Sequence, residues 1–291
     1  MSYDSASPYD GLADEHGEDH RWAFGTGFTD PLEGVDPAVP DGVDAPALAT
    51  YCLMLGDDAL IYSHRLQQWM TRLPELEEET AIANVALDLL GQARMLLARA
   101  GTIDGRTEDE LAYFREEPQF RNVRLVEAID RDFAELVGRL LIFSTWRLAL
   151  FEQLGTSRDP VLAGIAGKAV KELTYHRDYA AQWVVRLGDG TALSKQRMQA
   201  ALHAMWPLVD ELFRRHPVET ALPSVAAVLD RRDVDAVLDT VLAAAGLDRP
   251  DAAPLAGVSG RTGRDGVHTE ALGYVLAELQ SIARAHPDAS W

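Results

Sequence analysis

Residues 79–100 read ETAIANVALDLLGQARMLLARA, and this stretch decides the fold class. Its apolar side chains recur at alternating intervals of three and four residues, which is the spacing of one face of an α-helix. The members of this stripe are Ile82, Val85, Ala86, Leu89, Leu90, Ala93, Leu96 and Leu97. Glutamates occupy residues 77–79, where the dipole of a starting helix favours negative charge. The pattern predicts a long amphipathic helix that ends near Gly101.

The same periodicity predicts three more long helices. One carries an apolar stripe from Leu48 to Trp69, with Pro46 in its first turn and Pro74 beyond its end. Another runs from residue 130 to 154, and its segment 140–143 is apolar on nearly every side, which predicts burial between neighbouring helices. The fourth follows an Asp159-Pro160 start signal and stops at residues 188–190. Helices of ~25 residues are ~37 Å long, a length typical of an up-down bundle with a crossover.

Shorter helices are predicted around this bundle. Thr107 and Glu110 have capping-box spacing and open a helix to about residue 117. Ser194 caps a fifth helix through Phe213, a weaker alternating region covers 225–245, and a last helix covers about 267–285. The sequence contains no convincing strand or hairpin signal, so the predicted fold class is all-α.

The charge of the chain is −19 and is concentrated at one end. Residues 1–44 hold eleven acids against the single base Arg21, and we interpret them as an acidic, disordered tail before a helical domain at 45–291. Such a surface repels nucleic acid and anionic membranes. No apolar run reaches the ~18–20 residues of a membrane span, and no signal peptide is recognisable. The single Cys52 excludes an internal disulfide, so we expect a cytoplasmic protein.

Long bundles of this kind commonly hold two metal ions, which require Glu-x-x-His pairs on two of the helices. The chain has eight histidines, and glutamate precedes none of them by three residues. The residues at those positions are Ala13, Gly17, Ile61, Leu173, Ala200, Phe213, Asp265 and Ala283. No Ser-His-Asp or Cys-His arrangement is apparent either. The sequence therefore predicts no metal ligand and no catalytic residue in this chain.

Glu172 and His176 come nearest to a metal-binding pair, because i, i+4 spacing places both on one helical face. The alternative is a buried histidine held by Glu172, and we favour it because one pair supplies too few ligands. Replacing Glu172 by alanine would then cost about 3–5 kcal/mol if the pair is buried and less than about 1 kcal/mol if it is exposed. Asn84, Asp88 and Gln92 form either an internal polar site or a network that links helices, and we favour the network.

The glycine-rich loop 260–266 carries Arg261 and Arg264 and leads into a helix. Arginines in such a place can bind phosphate, which makes both residues weak candidates for contact with a substrate phosphate. The alternative is a simple connector whose arginines pair with carboxylates of this acidic chain. A lone glycine pattern is a weak signal, so we favour the connector.

Several segments together resemble one family, the structural subunit of the bacterial phenylacetyl-CoA ring epoxidase, or PaaC family. They follow the family's order from about Leu48 to Trp291, whereas the acidic tail lies outside the resemblance and Val218 to Pro254 matches poorly. The matching segments are residues 55–58, 63–66, 83–84, 87–94, 109–112, 125–127, 168, 171–172, 175–176, 186–191, 197–199, 205–207, 266–270 and 276–280.

This resemblance implies a ferritin-like long four-helix bundle with additional helices, and a role in phenylacetate catabolism. The family's structural subunit lacks iron ligands and braces a homologous catalytic subunit that holds the di-iron centre. The complex uses oxygen, with electrons from NADPH through a reductase that carries FAD and an iron–sulfur cluster, to epoxidise the ring of phenylacetyl-CoA. Small accessory subunits complete it. Arg261 or Arg264 would then lie near a phosphate of CoA.

Two other functions remain open from the sequence. The chain could be an autonomous metal-binding protein that uses unusual ligands such as Glu172, His176 and Glu270. It could also be a helical binding or scaffold protein outside this pathway. Metal content separates the first alternative from a structural subunit, and the identity of the bound partner separates the second.

Overall fold

The computed structural model describes residues 34–73 and 75–289, together with Leu32. Most of the predicted disordered tail lies outside the described residues. The described part is helical, and its one β contact is an isolated bridge between Val258 and Arg261. Its α-helices are α1 Ala45–Gln67, α2 Leu76–Asp104, α3 Glu108–Tyr113, α4 Phe133–Leu154, α5 Pro160–Gly188, α6 Ala192–Met205, α7 Pro217–Ala221, α8 Arg231–Ala244 and α9 Glu270–Ala285.

The four long helices α1, α2, α4 and α5 form the predicted bundle. Helix α2 runs antiparallel to α5, since residues 88 and 92 of α2 meet 176 and 172 of α5. The link between α2 and α4 runs along the length of the bundle beside α1 and contains α3 and two 3-10 turns, Glu117–Gln119 and Arg124–Val126. The all-α prediction and the ferritin-like bundle with additional helices are confirmed.

Capping residues account for most of the helix starts. Asp44 and Asp159 accept backbone N–H groups of Ala47 and Leu162, with Oδ1–N distances of 3.0 and 2.8 Å, and a proline occupies the first turn after each of them. Thr107 and Glu110 form the predicted capping box of α3.

Four predicted helix boundaries, which belong to α6, α3 and α9, are wrong. The side chain of Thr191, not that of Ser194, caps α6 by accepting the backbone N–H of Ser194. The Ser194 hydroxyl in turn accepts the backbone N–H of Thr191, which completes a capping box. Helix α6 ends at Met205, and a 3-10 helix Trp206–Phe213 follows, because Pro207 offers no backbone N–H. The α3 helix ends at Tyr113, and α9 begins at Glu270.

Burial divides the long helices into two kinds. Helix α4 is buried on almost every residue from Ala134 to Phe151, as its apolar composition predicts, and α1 is buried on all sides as well. Helices α2 and α5 bury one side only. Helix α2 is long and apolar enough to cross a membrane by length and composition, but half of its most apolar window is buried inside the bundle.

The segment before α1 also belongs to the packed structure. Val39 and Val43 pack against the core, and the Pro37 carbonyl accepts a hydrogen bond from Arg99 of α2. Residues 34–44, which the sequence assigned to the tail, thus lie against the bundle near the end of α2.

Candidate functional site

The centre of the bundle, where long four-helix bundles commonly hold metal ions, is occupied here by Arg147 of α4. Its side chain is completely buried. The Nε donates to Gln92 Oε1 at 3.0 Å, and both terminal nitrogens donate to the Leu55 carbonyl at 3.2 Å. The guanidinium carbon also lies 4.3 Å from the centre of the Phe151 ring. One arginine therefore links α1, α2 and α4.

Burial lowers the pKa of Arg147 to about 10, and the carboxylate of Asp58 opposes that shift. The guanidinium therefore keeps its charge at neutral pH. A fixed positive charge stands at the middle of the bundle, supplied by a side chain of this protein.

Glu172 and His176 of α5 do not hold each other, so the predicted pair is wrong. The His176 Nε2 lies 2.9 Å from Asp88 Oδ2, and Glu172 Oε2 accepts from Gln92 Nε2 at 3.0 Å. The physical reason is that α2 lies antiparallel beside α5, so residues 88 and 92 face 176 and 172 across the helices. Asp88 and Gln92 of the predicted network do link α2 to α5, whereas Asn84 is exposed to solvent.

These residues do not fit a pair of metal ions. Across the described residues, no group of three or more histidine, cysteine, aspartate or glutamate side chains could hold a metal. Asp88 and Glu172 are engaged with different partners, and Gln92 is bonded to the Arg147 guanidinium, whose charge repels a cation. The statement that the chain binds no iron stays a prediction, which metal analysis can test.

Because Glu172 bonds to Gln92 and not to His176, the loss of stability expected on removing Glu172 also changes. Burial raises the pKa of this half-buried carboxyl. We expect Glu172→Ala to lower the free energy of unfolding by about 1–2 kcal/mol, because it leaves the Gln92 amide without an acceptor. Glu172→Gln keeps an oxygen for that amide and should stay within about 0.5 kcal/mol of the parent in urea denaturation. Equal losses for the two variants would contradict this assignment.

Arg264 pairs with a carboxylate of this chain, as the favoured connector alternative predicts, and does not offer its charge to a phosphate. Its Nη2 donates to Asp58 Oδ2 at 2.7 Å, and its Nη1 donates to Asp58 Oδ1 at 3.0 Å and to the Met54 carbonyl at 2.7 Å. Asp58 lies in the middle of α1 and is fully buried. The loop sequence could not reveal this pairing, because the partner is more than 200 residues away.

Arg261 is exposed, and its Nη2 donates to the Asp265 carbonyl at 2.9 Å. The loop around it contains the 3-10 turn Gly263–Asp265, which Thr262 caps. Contact between Arg261 and a CoA phosphate stays a prediction.

Two further buried polar clusters escaped the sequence reasoning. Asp57 pairs with Arg115, and Oδ2 of the same carboxylate accepts the Arg121 backbone N–H at 2.8 Å. Glu127 receives the Thr269 backbone N–H at 2.7 Å and faces His268 Nδ1 at 2.7 Å. One sequence signal points to such a cluster, namely charged residues inside an apolar helix. Asp57 and Asp58 interrupt the most buried part of α1.

Asp130 gives the stability of the fold a pH dependence. It is buried beside Arg139, with 2.6 Å between Oδ1 and Nη2. Burial raises the pKa of Asp130 to about 6 against the pull of Arg139. Because the folded pKa exceeds the ordinary value of about 3.9, the folded state holds the extra proton between those values. This carboxyl therefore lowers stability as the pH rises from about 4 to 6.

We expect the free energy of unfolding of the parent, measured against that of Asp130→Asn, to fall by about 2 kcal/mol between pH 4 and pH 7. Urea denaturation at four pH values measures this difference. The exposed Asp239→Asn serves as the control and should run parallel to the parent. Parallel curves for the parent and Asp130→Asn would contradict the assignment.

Comparison with known proteins identifies the family to which this helical bundle belongs. A family model that joins PaaA and PaaC, described as phenylacetic acid catabolic protein, matches residues 36–291. A subunit of the 1,2-phenylacetyl-CoA epoxidase of Escherichia coli (strain K12) is 40% identical over 245 residues, which are 84% of this chain and 99% of that protein. The family match leaves out most of the acidic tail and covers the whole bundle. The chain therefore belongs to the family of phenylacetic acid catabolic proteins.

Proposed function

We propose that this chain is the non-catalytic structural subunit of a multicomponent di-iron monooxygenase that epoxidises the aromatic ring of phenylacetyl-CoA. The observation that carries the proposal is the polar centre of the bundle. A charged arginine, bonded to Gln92 and Leu55, stands where a catalytic bundle would hold metal ligands. Family membership and the similarity to an epoxidase subunit support the pathway and the reaction.

In this proposal the di-iron centre belongs to a homologous catalytic subunit, and FAD, an iron–sulfur cluster and NADPH belong to a reductase. Small accessory subunits complete the complex, which works in the cytoplasm. The role of the present chain is to be a rigid support. Arg147 fastens three of the four long helices together, and the Asp58–Arg264 pair ties α1 to the loop before α9. Such interior fastening keeps the outer surface in one shape for a partner.

Co-expression of this chain with the catalytic subunit from the same organism tests the proposal. We expect a stable complex, about two irons in the partner chain and less than about 0.1 iron in this one after separation. Epoxidation of phenylacetyl-CoA with oxygen, NADPH and the reductase should require the partner. About two irons in the isolated chain, or ring epoxidation without the partner, would refute the proposal and favour an autonomous metal-binding protein.

A further inference from the structure

The long helices differ in how much of their surface this chain covers itself. Helices α1 and α4 are enclosed, whereas α2 and α5 lie side by side with one side of each open. Leu87 of α2 and Tyr175 of α5 are 57% and 51% exposed on that side. Each directly precedes a member of the Asp88–His176 pair that joins the two helices. We call this surface the α2–α5 face.

One glycine on this face makes no packing contact inside the chain. Gly91 lies within α2, four residues after Leu87, and nothing comes within 4 Å of a Cβ built on it. Glycine is among the poorest helix formers, so a helical glycine beside open space destabilises the helix and gains no packing contact within the chain. A partner protein that packs closely against this position would supply such a contact. By contrast, a Cβ on Gly56 would lie 3.3 Å from Leu96 Cβ, and one on Gly138 would lie 2.8 Å from Met198 Cε. Those two glycines serve packing within the chain.

The size of the face suits a stable protein complex. Each helix has 29 residues and is therefore roughly 43 Å long. Two adjacent helices about 10 Å wide present roughly 850 Å². A stable interface buries about 800 Å² on each partner. The area matches a second bundle of similar length laid along both helices.

Charge favours a different chain over a second copy of this one. The chain carries −19, so two copies would bring together two strongly acidic proteins. A partner of weaker or opposite charge avoids this repulsion. Resting on the proposed function, we infer that the α2–α5 face is the surface on which the homologous catalytic bundle docks. Gly91 lets a helix of the partner approach closely, and Tyr175 and Leu87 supply apolar contact.

Chemical modification of lysines can report whether a partner covers this face. The lysines of the chain are Lys168, Lys171 and Lys195. Lys171 is exposed on α5 close to Tyr175, whereas Lys195 is exposed on α6, away from the face. Acylation of the complex with an amine reagent, read by mass spectrometry, should modify Lys171 at least tenfold more slowly than in the isolated chain. The rate at Lys195 should stay the same.

The variant Gly91→Gln tests the close approach. Glutamine is a better helix former than glycine, and its Cβ meets no atom of this chain within 4 Å, so the melting temperature of the isolated chain should stay equal or rise. Affinity for the catalytic subunit should fall at least tenfold. The controls Ala200→Gln and Ala277→Gln each add the same side chain to an exposed position, on α6 and α9, and should leave the affinity unchanged.

The outcomes distinguish this inference from the proposed function. A complex that forms with Lys171 still fully reactive, or that binds Gly91→Gln as tightly as the control variants, overturns the docking face alone. Failure of the parent chain to form any complex overturns the proposed function and the docking face with it. Protection of Lys171 in the isolated chain would also overturn the inference. If that protection vanishes on dilution, a second copy covers the face, and if it vanishes on removal of residues 1–31, that segment does.

Discussion

Replacing Asp58 with alanine is expected to lower the free energy of unfolding by about 3–5 kcal/mol, one of the largest effects that the structure predicts. The carboxylate is completely buried and accepts both terminal nitrogens of Arg264 and the backbone N–H of Val123 at 2.8 Å. Burial raises the pKa of Asp58, and the nearby cations Arg264 and Arg147 oppose the rise. Its removal leaves two buried guanidinium groups without their counter-charge.

Urea denaturation of the isolated chain measures this loss. The double variant Asp58→Ala with Arg264→Met should recover part of it, because the second change removes the unpaired cation. Asp239→Ala, which breaks an exposed pair with Arg249, is the matched control and should cost less than about 1 kcal/mol. A loss of less than about 1 kcal/mol for Asp58→Ala would show that Arg264 does not depend on this carboxylate.

Replacing Glu127 with alanine is the second large effect, expected at about 4 kcal/mol. This fully buried carboxylate accepts Asn122 Nδ2 at 2.9 Å and the Thr269 hydroxyl at 2.6 Å, besides its contacts with the Thr269 N–H and His268 Nδ1. It thus joins the segment before α4 to the start of α9. Without it, several buried donors lose their acceptor at once, and α9 loses its attachment.

Hydrogen exchange across residues 268–285, together with urea denaturation, measures the effect of Glu127→Ala. Exchange in α9 should accelerate at least tenfold. Glu127→Gln should fall between the parent and the alanine variant, because its amide places a donor against donors. Glu270→Gln changes an exposed glutamate in the first turn of α9 and should leave exchange unaltered. An α9 that stays protected in Glu127→Ala would contradict the role of this residue.

Local sequence patterns predict those structural features of this protein that depend only on neighbouring residues in the chain. The three-and-four spacing of Ile82, Val85 and Leu89 predicts α2 because helical geometry depends only on neighbours along the chain. The cap at Asp159 is confirmed for the same reason. The missing Glu-x-x-His pairs can likewise be read by counting, since the two residues lie one turn apart. Boundaries such as that of α6 fail where two capping residues compete within four positions.

The partners of the buried charges required the tertiary structure. The spacing along α5 predicts Glu172 as the partner of His176, but the approach of α2 supplies Asp88 instead. The sequence predicts that Arg264 pairs with some carboxylate of this chain, but only the fold shows that this carboxylate is Asp58 of α1. A periodic pattern says which side of a helix faces inward and says nothing about which helix lies opposite.

By itself, the sequence determined that this chain is an all-α bundle without the usual metal ligands, because periodicity and ligand spacing are properties of neighbouring residues. Only the tertiary structure decided what stands in the bundle instead, namely the guanidinium of Arg147 held by Gln92 and Leu55. It also decided which helices keep an open side, since burial depends on how all the elements pack together. The pairing of buried charges follows from contacts between residues far apart in the chain, where the energy of an unpaired charge selects the partner.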